Sequence, residues 1–410
     1  MNFSRRKYLQ GSVAGLVGAG AGTALPASGM TTKVTNNKGC FYLTELLGEP
    51  RPAGAIVAPA GTPPAGAPPA GAVTGPTLPG YAPGGPGRGN AAGGPPSPNN
   101  DLTICSQVGL KYVISNGGCR GRKEDYVANC AKQVEAYKAV GFQIAGVEGH
   151  PVPFENIKLG TEGRDQEIEN TKWAIEALAK NGIDMICYNF MAGLGWTRTN
   201  QAVKERGGAL TSEFDLEAAK AQGLTRAGEV SEEKMWQNVE YFIKAVMPVA
   251  DKFKVKMALH PDDPPISPLR GIARIVVSKR NYERIMAMYP SPYNGITFCQ
   301  ANFVLMKEDI YSLAKEWCER KKIFFVHYRD VQGDTKHFHE TFHDNGPTDM
   351  IRILEVYSKA GFVGPIRPDH APALAGEAQN GRASGYTIGG KVLAFGYMKG
   401  IMDAAGLKHV

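Results

Sequence analysis

Four short stretches of this chain carry side chains that could do chemistry together. In KMALHPDDPP (257–266) a strand-like run stops at His260, because the prolines that follow cannot donate to a β ladder. GITFC (295–299) ends on Cys299, IFFVHYRD (323–330) offers His327, and GPIRPDH (364–370) offers Asp369 and His370. Two imidazoles, a thiolate and a carboxylate make a mixed donor set. Such a set suits Mn²⁺, Fe²⁺ or Zn²⁺ better than Mg²⁺ or Ca²⁺, whose shells are built from oxygen. Each residue has a plainer reading alone: a buried cysteine fills space, a strand-end histidine hydrogen-bonds, and an aspartate caps a turn. The metal reading of His260, Cys299, His327 and Asp369 rests on all four falling at successive strand ends.

Around these lie groups suited to an acidic, hydroxylated ligand. Arg329, Arg367 and Arg198, the last in NFMAGLGWTRTN, could clamp a carboxylate bidentately, while Tyr188, Asn189 and Trp196 could shape a sugar-like pocket. The alternative for Arg329 and Arg367 is a structural ion pair with Asp330 or Asp369. His370 and Tyr386 remain available for proton transfer.

The elements that must position these residues alternate in type. Strand-like segments at 111–115, 142–149, 183–190, 254–260, 295–299, 323–330 and 364–370 are each followed by a helical pattern, near 124–140, 165–180, 231–250, 279–289, 308–320, 347–360 and 389–405. In the sixth helix Met350, Ile353, Leu354 and Tyr357 follow the spacing of one buried face. Repeated strand–helix units without a glycine-rich dinucleotide fingerprint predict a (β/α)₈ TIM barrel rather than a doubly wound sheet. Active sites of such barrels sit where the strands end, which is where the four donors fall. An eighth strand is either irregular after His370 or supplied by the apolar piece CFYLTELL near residue 42.

Length and composition fit one large domain plus appendages. The 410 residues are 43% hydrophobic and 21% charged, with a net charge of +7 that is scattered rather than gathered into a nucleic-acid-binding stripe. Seven cysteines without a CxxC pair argue against a zinc ribbon or disulfide scaffold. The N-terminus, SRRKYLQGSVAGLVGAGAGTALPASG, has the layout of a twin-arginine-type signal peptide over residues 1–30, so the protein is expected to be exported, periplasmic or extracellular. No later stretch is apolar enough to anchor it in a membrane. Residues 31–101 read as an N-terminal segment with a Pro/Gly/Ala-rich, linker-like insertion, and residues 102–410 as the catalytic barrel.

CYNFMAGLGWTRTN, HPDDPP, SPYNGITFC, VHYRD, FHETFHDNGPTDM, RPDH and GYTIGGK resemble, in order, signatures of the mannonate dehydratase family, from about Val147 to the C-terminus. The resemblance implies a metal-dependent barrel lyase, xylose-isomerase-like in architecture, that uses Mn²⁺ or Fe²⁺ to convert D-mannonate to 2-keto-3-deoxy-D-gluconate and water. It implies metal ligands at His260, Cys299, His327 and Asp369 and an acid/base pair at His370 and Tyr386. Departures from the pattern, such as His150 in GHPVPFENIK and Lys391 where an arginine is usual, lie around the substrate more than the metal. Two other readings remain open: a sugar or sugar-acid isomerase or epimerase on the same barrel, and an exported carbohydrate-binding protein without turnover. The expected partner is a small sugar acid, with no nucleic acid and no stable membrane anchor; a homo-oligomer is compatible with the sequence.

Overall fold

The structure, a computed structural model, describes residues 38–50, 98–378 and 385–410. The expected signal peptide and nearly all of the Pro/Gly/Ala-rich insertion lie outside the described residues. In chain order the elements are β1 (Cys40–Leu46), α1 (Pro98–Gln107), β2 (Tyr112–Ser115), α2 (Tyr126–Ala139), β3 (Gln143–Glu148), α3 (Glu155–Leu159), α4 (Arg164–Lys180) and β4 (Met185–Asn189). They continue with β5 (Asn200–Lys204), β6 (Leu210–Asp215), α5 (Leu216–Ala221), α6 (Glu232–Phe253), β7 (Lys256–His260), α7 (Lys279–Met288), β8 (Asn294–Cys299), α8 (Gln300–Leu305) and α9 (Ile310–Glu319). The last are β9 (Ile323–His327), β10 (Val331–Gly333), β11 (His337–Glu340), α10 (Met350–Lys359), β12 (Val363–Arg367) and α11 (Ile388–Ala405).

Eight of the strands are parallel and close into a barrel in the order β1–β12–β9–β8–β7–β4–β3–β2. The seven expected strand–helix units are all present. The eighth strand is β1, whose Cys40–Leu43 pairs with β12 and whose Thr44–Leu46 pairs with β2. The barrel therefore begins at residue 40, not 102. Of the two sources left open for the eighth strand, the structure takes the CFYLTELL piece, which the expected domain boundary at 102 had left outside the barrel.

β8, NGITFC, is buried along its whole length, as expected of a strand covered on both faces. Between barrel and helices lies the main core, in which Phe298, Phe303, Tyr282 and Trp317 pack ring against ring. A smaller apolar layer inside the barrel includes Ile114, Met185, Cys187, Ala258 and Phe325. The helices start where short polar side chains can accept an orphan backbone N–H: Ser231 from Lys234 on α6, Ser278 from Asn281 on α7, and Asp349 from Arg352 on α10.

Four strands do not belong to the barrel. They form an antiparallel sheet, β10–β11–β6–β5, built from the insertions after β4 and after β9. Phe214 and Phe338 face each other across β6 and β11 and seal this sheet onto Leu269, Ala301 and Leu305. A depression of about 280 Å³ lies at the opposite end of the barrel, lined by Tyr42, Tyr112, Asp184, Lys256 and Val363 among others. None of the donor residues is there.

Candidate active site

The ends of three adjacent strands deliver three donors. β7 closes on His260, β8 on Cys299 and β9 on His327, and one ligand atom from each lies within 4.8 Å of the other two. His260 Nδ1 is 2.7 Å from the carbonyl oxygen of Pro261, which can only accept, so Nδ1 carries a proton and Nε2 turns toward His327 Nδ1 at 3.2 Å. The Pro261 carbonyl thus orients the ring in the way metal-bound histidines are commonly oriented. Burial alone would push the Cys299 thiol up, but the Arg329 guanidinium and the nearby His260 and His327 rings outweigh it and bring it down to about 6. At neutral pH the sulfur is mainly thiolate, the form that ligates metals.

Asp369, the fourth expected ligand, borders this cluster with Oδ2 3.4 Å from His327 Nδ1. Its oxygens also take Arg329 Nε at 2.8 Å and Arg367 at 2.6 Å. The residue sits at φ 60, a left-handed conformation that a non-glycine residue holds only when its surroundings compel it. Two imidazoles, a thiolate and a neighbouring carboxylate fit a transition-metal cation. A second group among the described residues, Glu148, Cys187 and His327, fits less well. Burial and the Glu148 carboxylate hold the Cys187 thiol well above its ordinary value, so that sulfur stays protonated.

Next to Asp369 stands the expected acid/base pair. His370 Nε2 is 2.8 Å from Tyr386 Oη and 3.7 Å from Asp369 Oδ1. The Trp196 ring flanks both, 4.9 Å from the His370 ring and 6.2 Å from that of Tyr386. Burial, reinforced by Asp369, keeps the Tyr386 phenol well above its usual range and therefore protonated.

The expected ligand-binding residues divide. Trp196 lines the pair. Asn189, paired in register with His260, accepts from the Met191 N–H at 3.2 Å and lies at the strand-end mouth. Tyr188 does not belong to the pocket: side chains alternate along β4, so Cys187 faces the barrel interior while Tyr188 packs outward against Phe154 and Phe242.

The three arginines are likewise not presented as free clamps, for carboxylates already match them. Arg198 reaches Asp263 at 2.6 and 3.1 Å and also bonds Glu340. Arg329 donates to Asp263 at 2.6 Å, to Glu340 at 3.0 Å and to the Asn302 side-chain Oδ1 at 2.6 Å. Arg367 takes Glu148 at 2.7 Å besides Asp369. The alternative ion-pair reading is right for Arg367 with Asp369. Arg329 pairs with Asp369 too but not with Asp330, whose oxygens accept from Val331 and Thr348.

Sequence reasoning missed the carboxylates that organise this site. Glu148 ends β3, so the strand-end rule that found His260 would have found it. Its Oε2 lies 3.5 Å from His327 Nε2, and although burial opposes ionisation, Arg367 and His327 hold its carboxyl down to about 2. Asp263 was visible in HPDDPP and Glu340 in FHETFHD, but only the fold shows that they face the same two arginines. On the other side Lys391, from α11, meets Glu45 of β1 at 2.5 Å and lies 4.9 Å from the Tyr386 ring centre.

A closed parallel barrel with a group of nitrogen, sulfur and carboxylate donors able to hold a metal ion, and an imidazole–phenol pair at its strand ends, is the architecture of a barrel enzyme with its site at the strand ends. Residues 125–227 and 215–409 match the family model described as D-mannonate dehydratase (UxuA). The chain is 36% identical over 297 residues to the mannonate dehydratase of Streptococcus uberis, covering 66% of this chain and 84% of that one. It is also 36% identical over 291 residues to mannonate dehydratase 2 of Halalkalibacterium halodurans, covering 64% and 83%. The crystal structure of mannonate dehydratase from Streptococcus suis serotype 2 superposes with a TM-score of 0.67 at 28% identity, covering 76% of this chain and 93% of that one. The chain belongs to the mannonate dehydratase family, whose members are hydro-lyases.

Proposed function

We propose that this protein dehydrates D-mannonate to 2-keto-3-deoxy-D-gluconate and water, with Mn²⁺ or Fe²⁺ held by His260, Cys299 and His327 and bordered by Asp369. The observation that carries the reading is the convergence of these donors beside the His370–Tyr386 pair, with Asp369 touching both groups. When bound, the cation supplies electrostatic stabilisation of the negative charge that develops next to the substrate carboxylate as C2 loses its proton.

The chain's own residues handle the protons. Elimination takes the proton from C2, forms the C2–C3 double bond and breaks C3–O. The departing hydroxyl leaves as water once protonated, and the resulting enol takes a proton at C3 to become the 2-ketone. One base and one acid suffice, and His370 and Tyr386, already sharing a hydrogen bond, divide these transfers. Trp196 packs its ring beside both members of the pair.

The test is direct. Purified protein loaded with Mn²⁺ or Fe²⁺ is incubated with D-mannonate in D₂O, and products are identified by mass spectrometry and NMR. A 2-keto-3-deoxy acid is expected; deuterium exchange at C2 without loss of water would instead point to an isomerase or epimerase. His260→Ala is expected to lose bound metal. We also propose, from the residue order around Arg5 and Arg6, that the chain is exported folded, with its metal loaded beforehand.

A further inference from the structure

Glu340 is buried, comes from outside the barrel and touches three cationic or proton-donating side chains. Its Oε1 is 3.0 Å from His370 Nδ1 and 3.0 Å from Arg329, and it also accepts from Arg198; Oε2 is 3.0 Å from Arg329. We infer that Glu340 is a positioning residue of the reaction: it holds His370 in the single tautomer, proton on Nδ1, that keeps Nε2 turned to the Tyr386 hydroxyl. The inference rests on the reading that His370 and Tyr386 divide the proton transfers.

The geometry leaves little choice of tautomer. An ionised carboxylate is an acceptor only, and two arginines hold this one ionised: despite burial, they keep its carboxyl well below the usual range. A lone pair on His370 Nδ1 would then face an anionic oxygen at 3.0 Å, so Nδ1 must be the donor. With Nδ1 committed to Glu340, Nε2 is the nitrogen left to accept from the Tyr386 hydroxyl, 2.8 Å away. The result is a directed chain, phenol to imidazole to carboxylate.

Glu340 cannot swing away, because its position is fixed twice over. Both of its oxygens are clamped by Arg329, and its backbone is set by the register of β11, where Glu340 pairs with Val331 and Phe338 with Phe214. Side chains two apart share a strand face, so the contact that buries Phe338 under the small sheet also turns Glu340 inward. The four-stranded sheet thus has a task beyond covering the mouth: it delivers a carboxylate to the far side of His370.

Asp263 provides a natural reference. It is as buried as Glu340 and pairs with the same two arginines, but no contact joins it to His370. Glu340→Gln and Asp263→Asn remove the same charge from the same guanidinium pair, and only the first also replaces the acceptor-only carboxylate at His370 Nδ1 with an amide, which can donate as well as accept and so no longer fixes the ring. Per folded enzyme, Glu340→Gln is expected to lose kcat about a hundredfold with KM changed only a few-fold, and to lose at least tenfold more kcat than Asp263→Asn. Equal losses in the two variants would reduce Glu340 to a partner of the arginines and overturn the inference.

A second measurement needs no substrate and reads the wild-type ring directly. Selective ¹⁵N-histidine labelling of the wild-type chain, metal-free and again with diamagnetic Zn²⁺, with His370→Asn used for assignment, reports which ring nitrogen carries the proton. A proton on Nδ1 is expected; a proton on Nε2 alone would overturn the inference even if the enzyme turns over D-mannonate. If the wild type does not act on D-mannonate, the proposed reaction fails while the tautomer result still stands or falls separately.

Discussion

At the scale of single residues the site is a set of charges that are affordable only together. Arg198 and Arg329 share Asp263 and Glu340, and all four side chains are buried. Arg198→Ala would leave two carboxylates on one guanidinium, and removing one member of a buried ion pair typically costs about 3–5 kcal/mol. Urea unfolding should show a loss of that order, with an unchanged slope. Cys299 has a different task. In Cys299→Ser a weakly acidic hydroxyl replaces a sulfur whose pKa is brought down to about 6, so the donor at neutral pH is no longer an anion. Metal affinity by isothermal titration should fall by more than the ~10–100-fold seen when only a ligand's supporting partner is lost.

Asp330 gives a pH signature with a definite sign. Burial lifts its carboxyl from 3.8 to about 6, against the opposing hydrogen bonds from Thr348 and Val331. The folded state then holds a proton that the unfolded state has released between those two values. The Asp330 contribution is therefore fully present below 3.8 and is lost as pH rises through about 6, by something on the order of 3 kcal/mol. Wild type minus Asp330→Asn stability, from denaturant midpoints across that window, should decline with rising pH. A flat difference would show that the carboxyl is not held up.

Elements explain why these residues meet. Gly295 of β8 lies where an added Cβ would come within 2.5 Å of the Lys322 carbonyl oxygen and 2.5 Å of the Phe324 ring. Gly295→Ala is expected to cost about 1–3 kcal/mol by overpacking and to lower metal retention through Cys299 at the end of the same strand, readable by thermal melts with and without Mn²⁺. The strands carrying His260, Cys299 and His327 were legible in the sequence as short apolar runs, but only the first has a proline to mark its end; the one carrying His327 was read on to Asp330 and stops at His327. The helices were legible because their apolar residues keep a 3.6-residue period. The small sheet was not: LTSEFD and HFHE are short, mixed in polarity and paired across more than a hundred residues, so neither composition nor period marks them. For the same reason Glu340 went unread; of the three arginines, Arg198 was offered only to a ligand, while the ion-pair alternative for Arg329 and Arg367 named Asp369, which both touch, but not Glu340, Asp263 or Glu148. Tyr188 was misplaced because a strand buried on both faces hides which side chains point inward.

At the scale of the whole molecule, one strand stands apart in sequence from the barrel it completes. β1 carries Glu45, the partner of Lys391, and also bonds to the chain's last residues, with Leu43 N–H donating to the Val410 carbonyl oxygen at 3.2 Å. The proposed export belongs to this scale as well. Replacing Arg5 and Arg6 by lysine should leave the protein inside the cell, as fractionation and immunoblotting would reveal, and equal export of both forms would remove the twin-arginine reading.

Because forty-seven residues lie between position 50 and the start of α1 at Pro98, the covalent link between β1 and β2 is far longer than a barrel connection requires. That makes the first stave separable. Without residues 38–50, a polypeptide spanning 98–410 would lack the strand that pairs with both β2 and β12. A thirteen-residue peptide of sequence 38–50 is expected to bind it and raise its resistance to proteolysis, and no protection by the peptide would show that the stave cannot be supplied separately.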